Sequence, residues 1–205
     1  MHSLRHSLRA VPRASTPRLA APLTARRTFL TTRPSLIKVG DRIPSAELME
    51  DTPGTKVNIA EEIGNSPGGN ALIIGVPAAF SGSCSATHVP SYINHPKTKD
   101  FGFVAVVAVN DVFVMKAWGE TLDPVHETGI RFLADPTGAF TKAMEMNFGD
   151  AAAVFGGERS KRYAVVVKDG KVASVSVEPD NTGTTVSMAD KVLGTGGVGS
   201  AEVIG

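Results

Sequence analysis

The sequence of 205 residues contains a single cysteine, Cys84. One cysteine excludes a disulfide within the chain, a Cys-x-x-Cys redox pair and a zinc site built from several cysteines. Any disulfide that Cys84 forms must therefore join this chain to another molecule. If the protein performs thiol chemistry, all of it has to run through this one sulfur.

Long apolar runs are also missing from the chain. No stretch approaches the roughly 18 to 20 apolar residues that a helix needs to span a bilayer, which excludes an integral membrane protein. The composition is otherwise that of a globular domain, with 42% hydrophobic and 20% charged residues. We therefore expect no membrane partner.

Acidic residues are absent from the first 40 positions, and the first carboxylate is Asp41. The same stretch is rich in arginine, serine and threonine, a composition typical of a mitochondrial presequence. We predict that residues 1–36 are such a presequence, that it is cleaved to leave a mature start near Ile37, and that the protein resides in the mitochondrial matrix. The alternative is a basic arm that binds nucleic acid or acidic lipid.

Removal of residues 1–36 would change the sign of the net charge. Seven arginines leave with that segment, so that 14 basic residues remain against 20 acidic ones. A domain this acidic has no patch suited to a phosphate backbone, and we expect no nucleic-acid partner. The mature domain is predicted over residues 37–193. Residues 194–205 are predicted to be a flexible Gly-rich tail, whose G-x-G-x-x-G match has neither the strand nor the helix of a nucleotide site.

The hydrophobic pattern predicts an α/β fold in which strands alternate with helices. Residues 70–76 and 103–109 are continuous apolar runs, typical of central strands buried on both faces. Asp169 and Gly170 form the turn of a predicted hairpin between residues 163–168 and 171–177. A further strand is predicted at residues 130–134, and helices are predicted at residues 83–95, 111–120, 139–146 and 187–193. This order resembles the thioredoxin-like architecture, a central mixed sheet flanked by helices.

Cys84 follows the first buried strand and is predicted to lie in the first turn of the next helix. The N–H groups of a first turn have no partners within the helix, so they stabilise a thiolate placed there. The carboxyl end of a central strand is also where α/β folds open their crevice. This location makes Cys84 a candidate nucleophile. The alternative is a small buried hydrophobic residue, which is the commoner role of a lone cysteine.

The residues around Cys84 favour the catalytic interpretation. The Ser81 hydroxyl can donate a hydrogen bond to a thiolate or to an incoming oxygen. Pro77 would shape the loop and shield the sulfur from water, and Gly82 and Ser83 complete a candidate substrate pocket. His88, one helical turn beyond Cys84, could orient that pocket through a hydrogen bond. It could equally be a polar residue that merely lines the helix.

A metal site is not expected. Cys84 and His88 have a spacing that could bind zinc, but His95 lies too far along the helix axis to join them, and no further ligand is evident. The chemistry of the sulfur requires no cofactor.

The motif Pro77-x-x-x-Ser81-x-x-Cys84 resembles the signature Pro-x-x-x-Thr/Ser-x-x-Cys of the peroxiredoxins. The wider context is similar to the type-5 (type II) subfamily over about residues 37–193. The further matching segments are the run at 84–90, the run from Arg131 to Phe140, Arg162 with the tyrosine after it, and the run at 177–183. The resemblance implies that Cys84 is the peroxidatic nucleophile and that Ser81 assists it.

The resemblance also assigns the family's catalytic arginine to Arg131, on the short predicted strand before Asp135. A guanidinium stays charged at any relevant pH and presents a rigid fork of donors, so it could stabilise the thiolate and polarise a peroxide. The alternative is a surface residue of the strand that forms an ion pair with an acid.

The chain departs from the family pattern in two places. Ala78 stands where the family usually has glycine, and the segment 184–187 lacks the resolving cysteine that many type-5 members carry there. The resemblance therefore implies a 1-Cys peroxidase that reduces hydrogen peroxide and alkyl hydroperoxides. An external thiol, from glutathione with glutaredoxin or from thioredoxin, would regenerate Cys84. Family members are commonly homodimers, and we expect a homodimer here.

Two other functions remain open at this point. The protein could be a redox sensor or relay, in which Cys84 reacts with peroxide but passes its oxidation to a partner and turns over slowly. It could also be a structural thioredoxin-like module with a buried, inert thiol.

Overall fold

The computed structural model describes residues 36–195. The predicted presequence, apart from Leu36, and most of the predicted tail lie outside the described residues. The nine strands are β1 (Glu47–Glu50), β2 (Thr52–Asn58), β3 (Ala71–Gly75), β4 (Phe103–Ala108), β5 (Arg131–Ala134), β6 (Asn147–Phe148), β7 (Arg159–Ser160), β8 (Tyr163–Lys168) and β9 (Lys171–Val177).

The helices alternate with the strands and are mostly short. The α-helices are α1 (Ile59–Asn65), α2 (Val89–Ile93), α3 (Val112–Leu122), α4 (Ala139–Ala143), α5 (Ala152–Phe155) and α6 (Ala189–Val192). Three 3₁₀ turns cover Pro67–Gly69, Pro96–Asp100 and Gly149–Ala151, and a π-helical turn covers Cys84–His88. Over residues 36–195, no helix has the length and apolar character needed to cross a bilayer.

Seven strands form one mixed sheet in the order β2-β1-β5-β4-β3-β8-β9. β3, β4 and β5 are parallel, and β8 pairs antiparallel with β3. β6 and β7 form a separate two-stranded ribbon. The predicted thioredoxin-like fold, a central mixed sheet flanked by helices, is confirmed.

The central strands are buried on both faces, as their continuous apolar sequences predict. On one face Ile73 and its neighbours pack against α1 and α4, and on the other face Leu72 and Ile74 pack against α2, α3 and α6. Asp111 caps α3 by accepting a hydrogen bond from the N–H of Val114 at 3.0 Å.

Two local features differ from the sequence-based expectations. The hairpin of β1 and β2 lies in a segment for which the hydrophobic pattern predicts no strand. β2 includes Pro53 and Gly54, but it is the edge strand of the sheet, where proline is tolerated because its missing N–H faces solvent. The predicted helix at 83–95 is divided into the π-helical turn and α2. Pro90 has no N–H to donate, and the N–H of Val89 reaches back five residues to the carbonyl of Cys84.

Candidate functional site

The carboxyl edge of the parallel strands carries the candidate site. Val76 extends β3 by donating its N–H to the carbonyl of Val107, and the chain then turns through a loop at residues 77–83 into the π-helical turn. Pro77 and Ala78 are buried in this loop, whereas Gly82 and Ser83 are exposed. Cys84 opens the π-helical turn and is fully buried against the apolar cluster between the sheet and helices α2, α3 and α6.

Two polar groups approach the Cys84 sulfur inside this apolar cluster. The Oγ of Ser81 lies 2.8 Å from Sγ, and Nη1 of Arg162 lies 3.3 Å from it. Ser81 Oγ also lies 2.9 Å from the carbonyl oxygen of Ala78. A hydroxyl has one hydrogen to donate, so it donates either to that carbonyl, accepting from a protonated thiol, or to the sulfur when the sulfur is a thiolate.

Arg162 is the guanidinium of the site, and it is 2% exposed. Its Nε donates to the carbonyl of Thr182 at 3.0 Å, which directs Nη1 towards the sulfur. The backbone of Arg162 is held on both sides, because its N–H donates to Asn181 and its carbonyl accepts from Glu178. Within residues 36–195 no carboxylate forms an ion pair with Arg162, so a thiolate at Cys84, whose sulfur lies 3.3 Å from Nη1, would compensate its charge.

The expectation that Arg131 reaches the sulfur is wrong. Its Nε donates to Glu50 at 2.9 Å, its Nη1 lies 2.9 Å from Glu62, and its guanidinium stacks over the Phe103 ring. The hydrogen bonds and charge of Glu50 raise the pKa of Arg131 further above its ordinary value. Arg131 therefore links β5 to β1 and α1. This is the role given by the alternative interpretation, a strand residue that forms ion pairs with acidic side chains.

The strand directions explain this outcome. Arg131 begins β5, which runs parallel to β3, so its side chain leaves the sheet near the amino ends of the parallel strands. Arg162 directly precedes β8, which runs antiparallel to β3 and pairs Tyr163 with Gly75. The start of β8 therefore meets the carboxyl end of β3. An antiparallel neighbour of β3 has to begin where β3 ends, but the predicted hairpin did not by itself show that β8 is this neighbour.

His88 is fully buried on the inner side of the site. Its Nε2 lies 3.0 Å from the carbonyl oxygen of Ser187, so Nε2 carries the hydrogen. Nδ1 is buried and has no hydrogen-bond partner among the described residues. Burial, together with the positive charge of Arg162, lowers the pKa of His88 from 6.5 to about 3. His88 is therefore neutral at physiological pH and adds no second positive charge beside Arg162.

Glu178 organises the segment that faces His88. Its carboxylate accepts hydrogen bonds from the backbone N–H groups of Thr185, Val186 and Ser187 and from two hydroxyls. Burial alone would raise the pKa of Glu178, but the hydrogen bonds, chiefly from Ser187 and Thr185, lower it from 4.5 to about 2. Sequence reasoning noted the run at 177–183 but assigned Glu178 no role, because its partners lie seven to nine residues further along the chain.

Trp118 fixes the outer side of the site. Its indole N–H donates to the Ser85 hydroxyl at 2.9 Å, and its ring lies 6.5 Å from that of Phe80. Phe80 adopts a left-handed φ of 54° and is 55% exposed. Ala79 donates its N–H to the Asn110 side chain at 3.0 Å, which links the loop at residues 77–83 to the segment after β4.

His95, the third candidate ligand of the zinc arrangement considered above, lies elsewhere. His95 Nε2 contacts the carbonyl of Gly194 at 3.0 Å and lies 3.6 Å from Asp190. Within the described residues, no group of three or more His, Cys, Asp or Glu side chains has an arrangement that could hold a metal ion.

Residues 38–193 of this chain match the Redoxin family. Peroxisomal membrane associated protein 20 of Schizosaccharomyces pombe is 43% identical over 161 residues, which cover 77% of this chain and 98% of that protein. The mitochondrial peroxiredoxin-2F of Arabidopsis thaliana is 38% identical over 130 residues, which cover 62% of this chain and 63% of that protein.

Solved structures show the same similarity. Peroxiredoxin 5 from Alvinella pompejana superposes with a TM-score of 0.61 at 39% identity, covering 71% of this chain and 92% of that one. Reduced Prx3 from Vibrio vulnificus in complex with hydrogen peroxide superposes with a TM-score of 0.65 at 36% identity, covering 77% of this chain and 97% of that one.

The shifted pKa values predict how stability depends on pH. The folded pKa of His88, about 3, lies below the ordinary value of 6.5, so the unfolded chain takes up this proton first as the pH falls. Between pH 6.5 and 4.5 His88 should lower the free energy of unfolding by about 1.4 kcal/mol per pH unit. Glu178 contributes only below pH 4.5, because its pKa falls from 4.5 to about 2 on folding.

Urea denaturation of the wild type and of His88→Gln at pH 7, 5.5 and 4.5 tests this assignment. The glutamine amide can keep the donor to Ser187 but does not titrate. We expect the free energy of unfolding of the wild type, relative to that of His88→Gln, to fall by about 2 kcal/mol from pH 7 to pH 4.5. Parallel pH profiles would show that His88 is not held neutral by the fold.

Proposed function

We propose that Cys84 supplies the sulfur that attacks the peroxide in this chain, which belongs to the peroxiredoxins within the Redoxin family. The protein is a thiol-dependent peroxidase with a 1-Cys mechanism. The observation that carries the proposal is the convergence of Ser81 and Arg162 on the Cys84 sulfur. A buried guanidinium and a hydroxyl donor both favour the thiolate, which is the nucleophilic form. An inert structural thiol would need neither group.

The reaction proposed here begins with the thiolate electron pair of Cys84. A bond forms between the sulfur and one peroxide oxygen while the O–O bond breaks, and the sulfur is oxidised to a sulfenic acid. The other oxygen leaves with the electron pair and takes up a proton to become water or an alcohol. Arg162, Ser81 and backbone N–H groups at the start of the π-helical turn stabilise the negative charge that develops on the oxygens.

The remaining predicted site residues have supporting roles in this proposal. Pro77 and His88 form buried walls, whereas exposed Gly82 and Ser83 border the route by which a small peroxide reaches the sulfur. The substrates are hydrogen peroxide and alkyl hydroperoxides. Arg131 has no part in the chemistry, because its ion pairs with Glu50 and Glu62 hold it in the scaffold.

A thiol from outside the chain returns Cys84 to its reduced state. The first external thiol displaces water from the sulfenic acid and leaves a mixed disulfide, and a second thiol then releases Cys84 with formation of an external disulfide. Glutathione with glutaredoxin, or thioredoxin, is the proposed reductant. We also propose a homodimer, which the exposed aromatic ring of Phe80 in the loop that leads to Cys84 supports.

Replacement of Cys84 by serine should abolish peroxide turnover. We expect the full chain to consume hydrogen peroxide and tert-butyl hydroperoxide with the glutathione/glutaredoxin or the thioredoxin system, and Cys84→Ser to fall to the rate of the reductants alone. Peroxidase activity of the serine variant above that background would contradict the proposal. Rapid oxidation of Cys84 combined with slow turnover in every reducing system would instead identify a redox relay.

The composition of residues 1–36 supports a proposed location in mitochondria. The name of the S. pombe relative points to a different organelle, so the segment needs a direct test. We expect residues 1–36, fused to a fluorescent protein, to carry it into mitochondria, and the chain without them to remain in the cytosol. A peroxisomal or cytosolic fusion protein would contradict this location.

A further inference from the structure

A second pocket, of about 440 Å³, opens over the carboxyl ends of β4 and β5. We propose that this pocket binds a small thiol that carries both carboxylate and ammonium groups, and that this thiol is the reductant of Cys84. The inference rests on the proposed function, which requires an external thiol. The residues that carry the argument are Asn110, Asp111, Thr141, Lys142, Glu158 and Arg159.

The pocket lies on the same edge of the sheet as Cys84. β4 neighbours β3, so the segment after β4 lies beside the loop that leads to Cys84. Asn110, which lines the pocket, accepts a hydrogen bond from the N–H of Ala79 in that loop at 3.0 Å. Arg159, another lining residue, precedes Arg162 by three positions. One short segment therefore supplies a guanidinium to the pocket and another to the sulfur.

Two buried polar atoms of the lining residues have no hydrogen-bond partner among residues 36–195. One is the hydroxyl oxygen of Thr141, a residue that is 1% exposed. The other is the Nε of Arg159. Buried polar groups in native proteins are nearly always hydrogen-bonded, so an unpaired donor and an unpaired hydroxyl on two residues that line one pocket favour a polar ligand there.

The charges of the pocket define the chemical class of that ligand. The Arg159 guanidinium donates to the backbone carbonyls of Val109 and Phe155, and within residues 36–195 no carboxylate forms an ion pair with it. It can therefore receive a carboxylate from a ligand. Lys142 offers a second positive charge but is paired with Glu158 at 2.8 Å. Glu158 and exposed Asp111 provide the negative charge that an ammonium group needs.

Glutathione is a tripeptide thiol with two carboxylates and one ammonium group, and it is the probe for this site. Its thiol would attack the sulfenic acid of Cys84, forming a mixed disulfide and releasing water. A second molecule would release reduced Cys84 and leave glutathione disulfide. Both electrons needed for the reduction of one peroxide thus come from two thiols.

Calorimetric titration with S-methylglutathione, which cannot react, tests binding directly. The protein is the full chain carrying Cys84→Ser. We expect it to bind this probe, and the additional change Arg159→Gln to weaken binding about tenfold or more through loss of a charge-assisted hydrogen bond. Lys168→Gln, which removes a lysine outside the pocket, should bind like its parent. Absence of binding, equal binding by the Arg159 variant, or equal affinity for inorganic phosphate would overturn the proposal.

The variant Thr141→Val tests binding in the pocket independently of any effect that Arg159→Gln has on folding. Since the hydroxyl has no hydrogen-bond partner in the part of the chain that the structure describes, valine of similar shape should not lower the free energy of unfolding. We nevertheless expect it to weaken probe binding severalfold. A lower free energy of unfolding with unchanged affinity for the probe would show that the hydroxyl stabilises only the fold. This result would contradict its role in the pocket.

Turnover with two reductants distinguishes this proposal from the proposed function. Dithiothreitol carries no charge and should not use the pocket. We expect Arg159→Gln to lower the ratio of kcat/KM for glutathione to kcat/KM for dithiothreitol about tenfold. An unchanged ratio in an active protein would overturn the thiol site while leaving the peroxidase intact. Loss of peroxide reduction by wild-type protein with both thiols would instead contradict the proposed function.

Discussion

The contact between the Arg162 guanidinium and the Cys84 sulfur is the interaction on which the site depends. Both groups are buried, and no carboxylate of the described residues forms an ion pair with this guanidinium. A buried charge is costly unless it is compensated, so the arrangement favours a negative sulfur. Ser81 strengthens the same preference by offering a hydroxyl donor at 2.8 Å. The apolar surroundings that would make a lone thiol inert instead strengthen its interaction with the cation.

The scaffold holds this contact with groups that never touch the sulfur. The backbone N–H of Glu178 donates to the carbonyl of Arg162. The carboxylate of Glu178 accepts hydrogen bonds from the N–H groups of residues 185–187. The carbonyl of Ser187 in that segment then accepts from His88, which stays neutral beside the guanidinium because burial and Arg162 lower its pKa to about 3. The sulfur therefore faces one cation, the guanidinium of Arg162, and no protonated histidine.

Local spacing predicted one half of this site and strand pairing produced the other. Ser81 and Cys84 are three residues apart on a loop and a helix start, so the sequence alone places them together. Arg162 is 78 residues from Cys84 and reaches it only because β8 runs antiparallel to β3. The hairpin of β8 and β9 was predicted, but its neighbour in the sheet was not. The role of catalytic arginine was therefore assigned to Arg131, which lies on the parallel strand β5. The edge strand β2 was missed because Pro53 and Gly54 resemble a turn.

The most direct test of the central claim is the rate at which hydrogen peroxide oxidises Cys84 in a single turnover, measured by rapid mixing. The comparison is between Arg162→Gln and Arg131→Gln. The account predicts that loss of Arg162 slows sulfenic acid formation about a hundredfold or more, because the buried cation no longer stabilises the thiolate and the negative charge that develops on the peroxide oxygens. Loss of Arg131 should leave this rate nearly unchanged. A slow Arg131 variant beside a fast Arg162 variant, with both proteins folded, would contradict the account.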